Sequence, residues 1–348
     1  MTSSALRRAA FAFLLFSSST IASVLHAQDK PAPADLPAFA EQAAKAYGLD
    51  AKDVLAALAQ AQYRQSTVDA MSRPAEAVKA WKDYRPIFVT AKRIADGRAF
   101  LAANRDALLK VQADTGVPAE LVVAIIGVET SYGRNTGSYR VLDALYTLGF
   151  WYPRSGDPAK AQREDERQAF FRDQLAQLFA LAKEEKFPVD SLTGSYAGAM
   201  GWAQFMPSSY RQYAKDGDGD GRVDLFGASM PDLFASVANY FVGYGWQKGQ
   251  PIAVRAIHDP ATMAFAPDDL TPKYTLAELG GKGYRPQTAL GHEMNGSLLT
   301  LDGAQGVEDW IVFQNFYVIT RYNHSPMYAM AVCQLAEAIA AKETRNAP

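Results

Sequence analysis

Glu129 is the residue on which chemistry can be built. It lies in the stretch G-V-P-A-E-L-V-V-A-I-I-G-V-E-T-S-Y-G, residues 116–133. Pro118 stands where a first helical residue belongs, and 121–128 is apolar nearly all round. Glu129 follows Val122, Ile125 and Ile126 at helical spacing, so it projects from the buried side. An ionised carboxylate in apolar surroundings is costly, and the usual response is a pKa pushed upward. A carboxyl still protonated near neutral pH can act as a general acid, for example toward a glycosidic oxygen. The alternative is a helix-end Glu whose head reaches water.

A second constellation is Asp216-Gly-Asp218-Gly-Asp220-Gly-Arg222-Val-Asp224. Its alternating carboxylates, glycine at the sixth position and apolar residue at the eighth form the first half of an EF-hand calcium loop. Arg222 would contribute its backbone carbonyl. The twelfth position, normally a bidentate Glu, is Gly227, so the closing ligand must come from elsewhere. Hard oxygen ligands at this spacing favour calcium over zinc; a solvated Asp/Gly turn is the alternative.

Most glycosidases flank the scissile bond with two carboxylates. No second one stands beside Glu129, in 195–210 or in 317–328. Asp143 is the nearest candidate, and a solvated face of an amphipathic helix explains it better. A solitary buried acid implies that the substrate supplies the other reacting group, as the 2-acetamido carbonyl of an N-acetylated sugar can.

The surrounding pattern says what must hold these residues. Residues 36–113 read as helical, with Asp50 and Asp53 opening one helix and 90–113 forming a longer amphipathic one stopped by Asp114-Thr115-Gly116. Helices are also expected over 141–150, 166–186, from Pro207, over 230–246 and from Pro326. Ser195 to Tyr210 (S-Y-A-G-A-M-G-W-A-Q-F-M-P-S-S-Y) combines close-approach glycines, Gly198 and Gly201, with the flat faces of Tyr196, Trp202 and Phe205. Between 251 and 312, short alternating runs such as P-I-A-V-R-A-I and D-W-I-V-F, broken by Gly and Pro, read as a small β-rich lobe.

At 348 residues the chain can bury a large core and divide into more than one lobe. Its near-balanced charge, without long runs of one sign, gives no reason to expect nucleic acid or an anionic membrane as partner. Arg7 and Arg8, the short apolar segment that follows and L-H-A ending at Ala27 read as a signal peptide over 1–27, for general or twin-arginine export. Removing it takes the formal net charge from −2 to −4. Residues 28–37 read as a linker. The single cysteine, Cys333, cannot form an internal disulfide and reads as a packed core thiol. An exported, soluble, periplasmic monomer with neither membrane span nor lipid anchor is expected.

Four motifs in order, G-V-E-T-S-Y-G, G-S-Y-A-G-A-M-G-W-A-Q-F-M-P-S-S-Y, S-V-A-N-Y-F and N-F-Y-V-I-T-R-Y-N, resemble the lytic murein transglycosylases of the B type over roughly 75–340. The resemblance implies an α+β, predominantly α fold. It would comprise a lysozyme-like core over 114–250, a helical lobe over 38–113 joined by 155–190, the β-rich lobe over 251–312, and a C-terminal return to the core over 313–348. A groove between them would take a glycan strand. It implies cleavage of the β-1,4 bond between N-acetylmuramic acid and N-acetylglucosamine in peptidoglycan, by attack of the muramyl 6-hydroxyl, leaving a 1,6-anhydro end. Glu129 would be acid and then base. Ser195 and Gln204 match residues that hydrogen-bond the glycan and its acetamido group. Tyr84, Arg154, Tyr240, Tyr322, Asn323 and Tyr328 match others lining the groove; for the tyrosines, core or rim packing is the alternative.

By the same resemblance Asp232 closes the calcium loop, and the ion would stiffen the link between the Gln204 segment and the helix beginning at Met230. No organic cofactor is implied, and cell-wall synthesis or remodelling proteins are the expected partners. The chain departs from the family in lacking a lipid-anchoring cysteine after the signal and in residues 155–165, beside Arg154. A hydrolytic muramidase and a non-catalytic peptidoglycan-binding protein are the rival readings.

Overall fold

The computed structural model describes residues 30–72, 79–291 and 293–341; the expected signal peptide and the first linker residues lie outside the described residues. In chain order come α1 (Leu36–Tyr47), α2 (Ala51–Leu58), α3 (Gln65–Ser72), α4 (Trp81–Phe88), α5 (Ala91–Ala103), α6 (Arg105–Thr115) and α7 (Ala119–Thr130). Then follow β1 (Tyr139–Arg140), α8 (Val141–Phe150), α9 (Ala161–Glu185), β2 (Thr193–Gly194), α10 (Pro207–Tyr213) and α11 (Met230–Gly243). The β-rich part holds β3 (Ala253–His258), β4 (Tyr274–Thr275), α12 (Leu276–Gly281), β5 (Tyr284–Pro286), β6 (Asn295–Gly303) and β7 (Gly306–Val312). It is followed by α13 (Gln314–Tyr322) and α14 (Pro326–Ala340). The class is α+β and mostly α, as the sequence leads one to expect.

Several helix boundaries differ from the sequence reading, among them the end of α11 at Gly243 rather than at 246. The helix expected over 90–113 breaks at Asn104, whose backbone N–H and side-chain Nδ2 both donate to the Phe100 carbonyl, at 3.2 and 2.9 Å. An Asn that bonds the preceding turn in this way competes with the helical ladder. α9 starts ahead of residue 166, because Asp157 caps a short 3₁₀ turn, Pro158–Lys160, that runs straight into it. Helix resumes at α13 rather than at Pro326, since Asn315, Phe316, Val318, Ile319 and Thr320 bury one face there.

The described chain forms two compact units, 79–128 with 237–341 and 30–72 with 129–236; the divisions fall inside α7 and α11. In the first unit the sheet has the order β4-β6-β7-β3-β5, every neighbouring pair antiparallel. β6 and β7 form a hairpin in register from Ser297 opposite Val312 to Gly303 opposite Gly306. Leu276 and Leu279 of α12 make a small core with Ile311 and Phe313. α14 packs on α4, α5 and α13 in the same unit. In the second unit α9 is the spine. Its Phe171, Leu175, Leu178 and Phe179 recur at helical spacing and are buried, and it packs on α1, α8 and α10.

Candidate active site

α7 is a core helix by composition. Every residue from Leu121 to Ile126 is at most 1% exposed. Burial of a Leu, Val or Ile stabilises by about 1.5–3 kcal/mol each, so the helix is anchored firmly along its length. Its start is defined by the Gln112 side chain, whose Oε1 accepts from the Ala119 N–H at 2.8 Å, and by the Pro118 carbonyl, which accepts from Leu121 and Val122. At the other end Glu129 is 7% exposed and Thr130 1%. The backbone then turns left-handed over Ser131, Tyr132 and Gly133, with φ of 50°, 61° and 79°. Non-glycine residues in this region are strained and persist only where neighbours enforce them. Thr130 does so here: its carbonyl accepts from Asn135 N–H at 2.9 Å, and its Oγ1 accepts from Gly133 N–H at 3.0 Å and donates to the Trp202 carbonyl at 3.3 Å.

The segment from Gly194 to Phe205 folds back on itself through the pairings of Gly194 with Met200 and of Met200 with Phe205. Ser195, 1% exposed, accepts at Oγ from the N–H groups of Ala197 and Ala199, leaving its hydroxyl proton to donate. Gln204 has a left-handed φ of 49° and is 7% exposed. Its Nε2 donates to the carbonyls of Thr136 and Gly201, at 3.1 and 2.8 Å, which defines the amide orientation. The Oε1 is consequently turned away from both, buried and without a hydrogen-bond donor among the described residues. Such a buried orphan costs about 1–3 kcal/mol unless a ligand or water donates to it.

Asp143 corrects the sequence reading. It is not on a solvated face but 1% exposed, in ion pairs with Arg64 at 2.8 Å and Arg140 at 2.5 Å. It also accepts from the Gln62 N–H at 2.9 Å. Asp143 therefore ties the chain before α3 to the start of α8, and its oxygens are committed.

In the acidic loop, Asp216, Asp218 and Asp220 bring carboxylate oxygens within 4.8 Å of one another. Calcium–oxygen distances of about 2.3–2.6 Å allow ligand oxygens on one ion to be that far apart, so this donor set fits calcium. Hydrogen bonds from the Gly221 and Gly219 amides hold the Asp216 carboxyl below the usual carboxylate range. Asp232, 1% exposed, spans the loop, with one oxygen accepting from Gly217 N–H at 2.7 Å and the other from Asp224 N–H at 2.8 Å. Ser229 Oγ, which the sequence reading did not single out, donates to Asp218 at 2.8 Å. Arg222 donates its N–H to Asp220.

Each of the remaining residues singled out from sequence has its own local setting. Arg154 pairs with Asp165 at 2.7 Å and also bonds Gln168, with its side chain 41% exposed. In the first unit Tyr84 is fully buried against Trp81 and Phe88. Tyr240 and Tyr322 meet with ring centroids 4.8 Å apart, and Tyr240 donates its hydroxyl to the Arg321 carbonyl. Asn323 Oδ1 accepts from Ser325 N–H, and Ser325 Oγ from Tyr328 N–H, so both residues shape the entry to α14. Of the four tyrosines, Tyr322 is the partly exposed one. Sequence reasoning noted Trp202 for its flat face but missed Thr130. The signal was present in the glycines at 133, 201 and 227, each a place where only a missing side chain lets another group approach.

Comparison with known proteins places the chain among relatives of one kind. The family profile described as Transglycosylase SLT domain matches residues 32–337. The membrane-bound lytic murein transglycosylase B of Escherichia coli is 40% identical over 311 residues, 87% of this chain and 81% of that protein. The crystal structure of the soluble lytic transglycosylase SltB1 from Pseudomonas aeruginosa superposes with a TM-score of 0.77 at 42% identity, covering 88% of this chain and 98% of that one. The Escherichia coli lytic transglycosylase Slt35, solved in complex with calcium, gives 0.74 at 38% identity, with 88% and 93% covered.

Proposed function

Because this chain belongs to the transglycosylase SLT domain family and is a lytic murein transglycosylase, we propose that Glu129 alone serves as acid and then as base in a cleavage that consumes no water. The observation that carries this reading is a carboxyl 7% exposed in the last turn of an apolar helix. In the first step Glu129 gives its proton to the oxygen linking N-acetylmuramic acid to N-acetylglucosamine, and the C1–O bond breaks. The muramyl acetamido carbonyl supports the cationic centre. Glu129, now a carboxylate, takes the proton of the 6-hydroxyl as that oxygen bonds to C1. The product ends in a 1,6-anhydro ring, and Glu129 is protonated again for the next cycle.

Two groups of the same unit are suited to orient the sugar. Gln204 Oε1 lacks a donor among the described residues, and an acetamido N–H would supply one; the Ser195 hydroxyl retains a proton to donate. In the first unit Tyr322 offers the partly exposed ring and packs on Tyr240, while Tyr84, Asn323 and Tyr328 are buried. Arg154 is available to substrate only by exchanging Asp165 and Gln168. Asp216, Asp218, Asp220 and the Arg222 carbonyl would hold a calcium ion, with Asp232 bracing the loop. The ion would supply rigidity rather than chemistry. Action on murein places the enzyme outside the cytoplasm, consistent with the expected signal peptide at 1–27.

Mass spectrometry of products from purified sacculi tests the reading. Anhydro ends, lighter by one water than reducing ends, are expected. Reducing ends would make the protein a hydrolytic muramidase, and no release of muropeptides would make it a binding protein.

A further inference from the structure

Trp202 touches both the turn that follows Glu129 and the acidic loop, and it does so through main chain and side chain alike. Its N–H donates to the Leu225 carbonyl at 2.8 Å, on the stretch leaving the loop. Its carbonyl accepts from Thr130 Oγ1 at 3.3 Å, one residue after Glu129. Its indole lies directly on two glycines. A Cβ at Gly133 would stand 2.1–2.4 Å from ring atoms Cζ2, Cε2 and Cη2, and a Cβ at Gly227 would stand 2.6–3.2 Å from Nε1, Cε2 and Cζ2. Both glycines have positive φ, 79° and 110°, so each is required twice over, by conformation and by the ring. Beside it, a Cβ at Gly201 would meet the Leu225 carbonyl at 2.4 Å. The contact is thus packed without slack, and a displacement of either segment is felt by the other.

We propose that Trp202 is a positioning residue that passes the order of the acidic loop to the turn holding Glu129, so that a divalent cation in the loop tightens residues 130–135 and sets the orientation of the acid. This rests on Glu129 as the acid and on the loop as a calcium site, and extends both by joining them through one side chain. Space-filling by itself would predict lost stability in a Trp202 variant, but no selective loss of communication between loop and turn.

Hydrogen exchange on the full chain, with millimolar calcium or with chelator, reads the coupling directly. The reporters are the Gly133 and Asn135 amides, which bond to Thr130. In the wild type calcium should slow their exchange on the order of tenfold, within the usual range of coupling between sites. In Trp202→Ala calorimetry should still detect calcium binding, yet these amides should no longer respond. Its kcat should fall roughly ten- to a hundredfold with KM little changed, the cost of a slightly misplaced acid. Trp202→Phe, which keeps a flat ring and covers the case in which the alanine variant does not fold, should restore part of both effects. An exchange rate insensitive to calcium in the wild type, or equally sensitive in Trp202→Ala, overturns the proposal. Wild-type protein that binds no calcium by calorimetry removes the cation reading and the coupling with it. A fully active Glu129→Gln would remove the acid reading while leaving the exchange result standing, so the failures are distinguishable.

Discussion

Asp143, in the first turn of α8, and Glu129, in the last turn of α7, are 1% and 7% exposed. Burial hardly separates them, but their settings do. Asp143 sits at the positive end of its helix and faces two guanidinium groups and a backbone N–H, so its negative charge is matched on every side. Glu129 sits at the negative end of its helix, behind Val122, Ile125 and Ile126, all fully buried. Asp143 is thereby held as a structural anion, whereas Glu129 is the acid proposed above. Depth of burial alone is thus a poor guide to which of two acids is reactive, and helix polarity is a feature that does separate these two.

Exchanging the two losses is the strongest way to break this comparison. Glu129→Gln should reduce muropeptide release from sacculi on the order of a thousandfold or more, with the melting temperature nearly unchanged, because the proton has no other donor. Asp143→Ala should do the reverse. It strands Arg64 and Arg140 and should cost about 3–5 kcal/mol, visible as a melting temperature lower by roughly 10 °C, while the folded fraction keeps its turnover number. An Asp143 variant that folds well but does not turn over would end the distinction drawn here.

Gln204 sharpens the same contrast among neutral groups. Gln174 is also buried, but its Oε1 accepts from the Ser208 N–H, whereas Gln204 Oε1 has no donor among the described residues. Gln204→Leu should therefore lower kcat/KM roughly ten- to a hundredfold, as expected when a hydrogen bond to substrate is lost. Gln174→Leu should affect melting alone, and a parallel activity loss would show that Gln204 is no better poised than its counterpart.

A smaller effect separates the acidic loop from both carboxylates. Calcium in hundredfold excess over its dissociation constant should add about 2.7 kcal/mol to a native state that alone binds it. Differential scanning calorimetry should show a rise of several degrees in the wild type, abolished in Asp218→Asn and retained in Glu129→Gln. Least of all is the exposed ion pair of Glu184 with Arg211, at 2.7 Å. A hydrogen bond and then the charge of Arg211 hold the Glu184 carboxyl below its usual value of 4.5. Since the folded value is the lower, its contribution is complete above pH 4.5 and disappears as pH falls through the folded value. With Glu184 half exposed this amounts to under about 1 kcal/mol, so Glu184→Gln should melt about a degree or two lower at pH 7 and draw level with wild type once the pH has fallen below the folded value.

Much of this protein is legible in its sequence because the relevant forces act over a few residues. The apolar run before Glu129, the Asp/Gly alternation of 216–221, the capping Asp50 and the alternating strands of 251–312 each declare a local structure, and the four ordered motifs declare the family. Local pattern failed where a side chain chose between neighbouring backbone and the regular ladder, as at Asn104, or where a short helix carried a mixed face, as in α13. The pairing of Asp143 with Arg64, the unfilled acceptor of Gln204 and the contact of Trp202 with Gly133 and Gly227 could be decided only by the tertiary structure. Each depends on which of many compatible partners the fold brings within hydrogen-bonding or van der Waals reach, and those attractions, unlike helical or strand periodicity, leave no regular mark along the chain.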